Sequence, residues 1–168
     1  MRFVALGFIV VCALTSVACA HQPAASADSL AYFVGEWRVS ARDPGTGETL
    51  EMTYAVEPAE GGSWFAGRGA SSDGAFNARD MWGRDPETGE IMRVIFDGGG
   101  TFATVRGPAW EGDRLVLEGD ARSTGGVARV RETITRIAAD RFEAVWAAYR
   151  DGAWAVYSVE TVTRGSAG

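Results

Sequence analysis

Ten short runs of alternating apolar and polar residues follow one another from Gly35 onward, and this repetition constrains the fold more than any other feature. Clusters of Gly, Asp, Pro and Asn separate the runs every 8 to 14 residues. Strict alternation is typical of a β-strand with one buried face. It is clearest in the run TLEMTYAVE, where one face carries Leu50, Met52, Tyr54 and Val56. The pattern predicts an all-β domain.

The connections between the runs are short, and none has room for a crossover helix. Strands joined in this way pair antiparallel with their neighbours in sequence. A meander of about ten strands avoids exposed edges best by closing, so we expect an antiparallel up-and-down barrel. Such a barrel has an interior just large enough for packed side chains or one small ligand. Before the first run, the stretch ADSLAYFVG predicts one short helical turn, capped by Asp28 or Ser29.

Two of the connections are nearly identical: RDPGTGE at residues 42–48 and RDPETGE at residues 84–90. In each, Asp is suited to cap a turn, Pro fixes φ, and Gly allows a positive φ. They are the first and the fourth connections between the runs. Odd and even connections of an up-and-down meander lie at opposite ends, so we expect the two loops to be far apart and not to form one site.

Residues 1–18 have the pattern of a secretory signal, with Arg2 followed by an uncharged, largely apolar stretch. The sequence ACA at residues 18–20 allows cleavage before His21. The sequence SVAC at residues 16–19 has the form of a bacterial lipobox, in which Cys19 becomes the lipidated first residue. The lipobox also explains a lone cysteine at this place. We therefore expect export to the periplasm, anchoring to the outer membrane through Cys19, a tether over residues 19–28 and a single domain over residues 29–165.

The expected domain contains no histidine and no cysteine, since the chain has only Cys12, Cys19 and His21. This composition excludes disulfides, a Ser-His-Asp triad, a Cys-His pair, the usual zinc sites and His-ligated haem. We expect no metal and no cofactor. All 16 basic residues are arginines, against 22 acidic residues, for a net charge of −6. The acidic balance argues against nucleic acid and anionic membrane surfaces as partners, so the membrane is expected to be contacted only through the lipid anchor.

The first run opens with FVGEW, the middle contains WGRDPETGE, and the last run closes with YSVETVTR. This order resembles the calycin superfamily, and in particular bacterial lipocalin-like domains of unknown function, over residues 30–164. The resemblance implies that Gly35-Glu36-Trp37 lies at the closed end of the barrel, with Arg164 packed over the indole. Trp37 and Arg164 would then be structural. The haem site of nitrobindin-type members is not implied, because the domain has no histidine.

Several charged residues alternate in phase with apolar ones, and a buried charge is costly unless it is paired. The sets in phase are Glu132 with Val130 and Ile134, Asp80 with Phe76, Ala78 and Trp82, Arg68 with Trp64 and Ala66, Glu160 with Val156 and Val162, and Arg106 with Phe102. If these faces point inward, the interior carries acids and arginines among aromatic rings, and this arrangement is suited to orient an amphipathic ligand. The ligand-binding candidates are Trp64, Arg68, Asp80, Trp82, Arg106, Glu132, Trp146 and Glu160.

Two alternatives stay open for these residues: the charges form internal ion pairs, or the faces point to water. The run IMRVIFD is apolar on both faces, so its inward face is undecided. Three functions follow. The first is a carrier or binding protein for a small apolar or amphipathic molecule. The second is an envelope interaction or structural lipoprotein with a filled barrel. The third is a carboxylate-based enzyme, which needs Asp80 or Glu132 beside another acid in a deep pocket.

Overall fold

The computed structural model describes residues 28–165. The expected signal peptide, Cys19 with its lipid anchor and residues 19–27 of the expected tether lie outside the described residues. Within them, no helix is long and apolar enough to cross a membrane.

The described chain forms one short helix followed by ten strands. The elements are α1 (Asp28–Ala31), β1 (Gly35–Arg42), β2 (Thr49–Pro58), β3 (Trp64–Ser71), β4 (Asn77–Arg84), β5 (Ile91–Asp97), β6 (Phe102–Gly107), β7 (Arg114–Ser123), β8 (Gly126–Ala138), β9 (Arg141–Arg150) and β10 (Ala153–Arg164).

Each strand pairs antiparallel with its neighbours in sequence, and β1 pairs with β10 to close the barrel. The all-β, ten-stranded, up-and-down barrel predicted from the sequence is confirmed, as is the short helical turn before it. In β2 the predicted alternation holds, because Leu50, Met52, Tyr54 and Val56 are more buried than their neighbours along most of the strand. Closure leaves no strand edge unpaired.

The barrel has two distinct ends. The closed end carries α1, the connections β2–β3, β4–β5, β6–β7 and β8–β9, and the end of β10. The open end carries the connections β1–β2, β3–β4, β5–β6, β7–β8 and β9–β10. The two DPxTG loops therefore lie at opposite ends, as the strand count predicted.

The two DPxTG loops are built alike. The Oδ1 atom of Asp43 accepts a hydrogen bond from the backbone N–H of Gly45 at 2.7 Å. In the second loop Asp85 Oδ1 accepts from Glu87 N at 2.8 Å. Gly47 and Gly89, with φ of 78° and 74°, return the chain to the next strand. Both loops are therefore turns in which the shared Asp and Gly residues have the same structural role.

An aromatic plug fills the closed end. Phe33, which follows α1, is 1% exposed and stacks on Trp82 with 4.7 Å between ring centroids. The indole Nε1 of Trp37 donates to the backbone oxygen of Phe33 at 2.7 Å. The guanidinium carbon of Arg164 lies 4.2 Å from the centroid of the Trp37 ring, and its Nη1 donates to Val34 O at 2.8 Å. This is the arrangement of Trp37 and Arg164 that the resemblance implies.

The core lies mainly in the closed half, where large side chains meet. Toward the open end several inward positions carry alanine, and these small side chains leave a cavity in the barrel. The largest fully buried side chains are Trp37, Trp82, Phe33, Ile91, Leu115, Leu117, Ile134, Glu132, Val105 and Val162.

Candidate functional site

A cavity of about 380 Å³ occupies the barrel above the aromatic plug. Its wall reaches Phe76 and Thr101, which lie in the β3–β4 and β5–β6 connections, so it faces the open end. Small inward side chains such as Ala41, Ala103 and Ala121 make the space. The upper wall is mainly apolar, and charged groups line the deeper part.

Arg93 of β5 organises the deeper part of the cavity. Its side chain is 14% exposed and lies over the Trp82 ring, 4.3 Å from the centroid. Its Nε and Nη2 atoms lie 2.7 Å and 2.6 Å from Asp80 Oδ2, and its Nη1 pairs with Glu132 Oε1. Burial opposes the charge on Arg93, but Glu132 and Asp80 outweigh it and raise its pKa. Arg93 therefore stays protonated and holds two acids from β4 and β8.

Asp80 is enclosed by further donors and by the neighbouring strand. Its Oδ2 accepts from the Tyr54 hydroxyl at 2.8 Å and from Trp82 Nε1 at 3.1 Å. On β3, Gly67 pairs with Asp80, and a Cβ built at Gly67 would lie 1.6 Å from Asp80 Oδ1. Only glycine leaves room for the carboxylate here. Burial, and then Asp80, raise the pKa of Tyr54 well above its usual range, so Tyr54 stays a neutral donor.

Glu132 of β8 is 1% exposed, and its Oε2 has no hydrogen-bond partner among the described residues. Burial raises the pKa of Glu132 to about 7; Arg93 opposes this shift, and Glu160 and Asp80 add to it. Because the folded-state pKa is above the unfolded one, the proton on Glu132 favours folding. Its contribution to stability is therefore fully present below pH of about 4.5 and is lost as pH rises through about 7.

Glu160 of β10 also faces the cavity, in register with Ala41 of β1 and Ala144 of β9. Burial raises its pKa, while Arg93 and a hydrogen bond with Ser158 act in the opposite direction. A β-bulge between Val156 and Ser158 shifts the register of β10 against β9, and it lies closer to the open end than Glu160 does. We call Arg93, Asp80, Glu132 and Glu160 the Arg93 cluster.

The structure brings five of the predicted ligand-binding residues together inside the barrel. Trp82 underlies Arg93, and the Trp146 ring centroid lies 5.8 Å from the Arg93 guanidinium carbon. Asp80, Glu132 and Glu160 complete the set, and all five line the cavity. The alternative that the charges form internal ion pairs holds for Asp80 and Glu132, which both contact Arg93.

Two predicted inward positions on β3 are wrong, because Trp64 and Arg68 lie on the outer wall. Arg68 is 53% exposed and pairs with Glu57 at 3.1 Å. Trp64 covers Gly83 of β4, where an added Cβ would lie 2.3 Å from the indole. The inward face of β3 instead carries Phe65 and glycines, which have no side chain to mark the face in the sequence.

Arg106 is also on the outer wall, contrary to prediction. Its side chain is half exposed and lies 4.0 Å from Asp85 and from Glu90. Phe102, which shares its face, stacks on Phe96 outside the barrel with 5.5 Å between centroids. Phe102 made the outer face of β6 look apolar in the sequence, although its ring packs on Phe96 outside the barrel.

The face predicted for β10 is correct for Glu160 and Val162 but wrong for Val156. Val156 is 46% exposed and points outward. Tyr157 is the extra residue of the bulge, so the inward and outward positions are exchanged on its N-terminal side. Tyr157 itself lies at the cavity wall.

Sequence reasoning missed Arg93, the residue that holds the cluster together. The available signal was its position between Ile91 and Ile95 in β5, since all three share the inward face. The opposite face of β5 carries Met92, Val94 and Phe96 and is equally apolar, so hydropathy alone gave no preference. Only the charge of Arg93 distinguishes the inward face of β5 from its outward face in the sequence.

The arrangement has three carboxyl groups, one guanidinium and neighbouring phenol and indole rings in a cavity that faces the open end. It can accept hydrogen bonds from a ligand and can exchange protons near neutral pH, because the pKa of Glu132 is about 7. Among residues 28–165 no three His, Cys, Asp or Glu side chains are placed to hold a metal ion.

No known family model matches this sequence, and no curated protein is significantly similar to it. Among solved structures, the fold is similar to the crystal structure of Rv2717c from M. tuberculosis, with 14% identity and a TM-score of 0.57. That similarity covers 84% of this chain and 98% of the other, and it supports the barrel fold alone. A looser similarity, with a TM-score of 0.41 and 16% identity, is to a DUF3598-family protein of unknown function from Nostoc punctiforme, covering 81% of this chain and 49% of that one.

Proposed function

We propose that the protein binds or carries a small amphipathic molecule inside the barrel. The apolar part of the ligand lies against the alanine-lined wall near the open end, and its polar end reaches the Arg93 cluster. The observation that carries this proposal is the cavity of about 380 Å³ directly above a buried charged cluster. Ligand pockets commonly combine a mainly apolar wall with a few convergent polar groups in this volume range.

The size of the cavity limits the ligand. At roughly 30 Å³ for each non-hydrogen atom, taking the share of liquid volume that belongs to one water, the space holds on the order of a dozen such atoms. A short alkyl chain or a bicyclic aromatic body with one polar group fits. A filled barrel with a purely structural role is disfavoured by the same space.

A second function, acid-base catalysis on the bound molecule, is favoured by one observation. Glu132, whose pKa is raised to about 7, lies near Glu160 in the same cavity. A carboxyl group with a pKa near neutrality is suited to donate and accept protons. Turnover of a bound compound, rather than reversible release, would identify this function.

Uptake of uncharged fluorescent probes tests the binding function. We expect 1-naphthol or 2-naphthol to quench tryptophan emission saturably, because Trp82 and Trp146 both line the cavity. The measurement is a fluorescence titration of the purified protein at about micromolar concentrations, where a binding free energy of about −8 kcal/mol is detected. The absence of saturable quenching across such a panel would remove the proposal.

We also propose that the protein acts in the periplasm while anchored to the outer membrane through Cys19. The support is the sequence SVAC after an apolar signal. Cell fractionation checks this: we expect the wild type in the outer-membrane fraction and the Cys19→Ser variant in the soluble periplasmic fraction. Recovery of both proteins in the soluble fraction would favour ordinary cleavage before His21.

A further inference from the structure

The inside of the barrel has an imbalance of charge. Asp80, Glu132 and Glu160 line the deeper part of the cavity with one buried guanidinium, that of Arg93, whereas Arg79, which is exposed, and Asp97 line it toward the open end. Glu160, whose side chain is partly buried and lines the cavity, forms no ion pair with any described residue. With all three carboxyl groups ionised, the cluster would carry an excess of two negative charges. Buried charges that lack a partner are costly, so this site is favourable for a positive charge brought by a ligand.

The guanidinium of Arg93 is not available to an anionic ligand. Its Nε, Nη1 and Nη2 atoms already contact Asp80 and Glu132, and one face lies on Trp82. A ligand carboxylate would have to displace one of two buried acids and would also be repelled by Glu160. An anionic head group is therefore disfavoured on both counts.

A second observation points to a missing donor. Glu132 Oε2 is buried, belongs to a residue that lines the cavity, and has no hydrogen-bond partner among the described residues. Buried carboxylate oxygens are nearly always hydrogen-bonded. A donor supplied by a ligand would satisfy this atom.

The rings of the cavity also suit a cation. Tyr54, Trp146 and Tyr157 line the wall around the Arg93 cluster. Arg93 itself lies 5.9 Å from the Tyr54 centroid and 5.8 Å from the Trp146 centroid, so these rings already face a positive group. The faces of aromatic rings attract cations, and more strongly where water is excluded.

We propose that the ligand of this barrel is a small organic cation, a protonated amine on an apolar body, whose nitrogen lies between Glu160 and Glu132. The inference rests on the proposed binding function and specifies the chemical class of the ligand. The apolar body would extend past Ala103 and Ala121 toward the open end. Matched compounds with neutral or anionic head groups would bind more weakly at the same site.

The protonation of Glu132 and Glu160 makes the affinity for a cation depend on pH. Burial raises the pKa values of Glu132 and Glu160, so both carry more protons near neutrality than free carboxyl groups do. The charged and titratable groups that face them are Asp80 from β4, Arg93 from β5, Tyr54 from β2 and Tyr157 from β10, with Arg79 and Asp97 toward the open end. A bound cation favours the ionised acids, so its affinity rises with pH through about 7.

The test compares n-octylamine, 1-octanol and octanoate by calorimetric titration at about pH 6 and about pH 8, on either side of the Glu132 pKa. The three compounds share one apolar body and differ in head-group charge. We expect octylamine to bind at least about tenfold more tightly than octanoate at the higher pH, which corresponds to about 1.4 kcal/mol. The ratio is expected to shrink at the lower pH.

The Glu160→Gln variant removes one charge without changing the size of the side chain. We expect it to weaken octylamine binding several-fold and to weaken 1-octanol binding clearly less, while thermal unfolding reports whether the barrel is folded. Its matched control is Glu143→Gln on β9, where Glu143 is exposed on the outer wall. We expect this change to leave the affinities for octylamine and for 1-octanol unchanged.

The outcomes separate this inference from the function on which it rests. If 1-octanol binds but octylamine is no better than octanoate at either pH, the cation preference is wrong and the binding function stands. If none of the three compounds binds, both proposals fall. If Glu143→Gln weakens octylamine as much as Glu160→Gln does, the effect is general electrostatics and the assigned site is wrong.

Discussion

Replacing Arg93 with methionine is expected to lower the free energy of unfolding by about 3–5 kcal/mol, the usual cost of removing one partner from a buried ion pair. The variant leaves Asp80 and Glu132 buried without their cation, although methionine fills much of the same space. No nearby residue can take over, because Arg93 contributes the only guanidinium that pairs with these two acids among the described residues. Urea unfolding measures the loss.

The matched control is Arg68→Met on the outer wall. Arg68 also pairs with a glutamate, but both side chains are more than half exposed, so we expect a loss below about 1 kcal/mol. The loss from Arg93→Met should also shrink as the pH falls below about 7, because Glu132, whose pKa burial raises to about 7, then becomes neutral. Equal losses from the two variants, or a loss that is constant with pH, would contradict the central place of Arg93.

The barrel itself was predictable from the sequence, because its evidence is local and repeated. Alternation in β2, short turns and the absence of crossover helices lead directly to an antiparallel meander. The strand count even placed the two DPxTG loops at opposite ends. The sequence does not show which face of a strand points inward where apolar and polar residues do not alternate. In β3 the inward positions include Gly67, which has no side chain because Asp80 occupies that space.

The candidate site was predictable only in part, for the same physical reason. Asp80, Glu132 and Glu160 follow apolar residues in phase, and all three line the cavity. Arg93 was missed because β5 is apolar on both faces, including an outer face that carries Phe96. The bulge at Tyr157 changes the register within β10, and no pattern of residues marks it. Contacts between distant strands decide such cases.

The second large effect concerns the access of the ligand to the inside of the barrel. Ala121 of β7 lines the cavity near the open end. Its replacement by phenylalanine places a ring in the space proposed for the apolar part of the ligand. We expect the Ala121→Phe variant to bind 2-naphthol at least about tenfold more weakly, a change of about 1.4 kcal/mol or more. Ala41→Leu, a smaller replacement on the opposite wall, is expected to act in the same direction.

The control is Ala70→Phe, which adds the same ring on the outer wall of β3, where Ala70 is exposed. Thermal unfolding shows whether each variant is folded. The decisive measurement is the fluorescence titration of the wild type, Ala121→Phe and Ala70→Phe with the same probe. Binding inside the barrel predicts that only Ala121→Phe loses affinity. Unchanged binding by folded Ala121→Phe, or an equal loss in Ala70→Phe, would show that the probe binds elsewhere and would contradict a ligand site in the cavity.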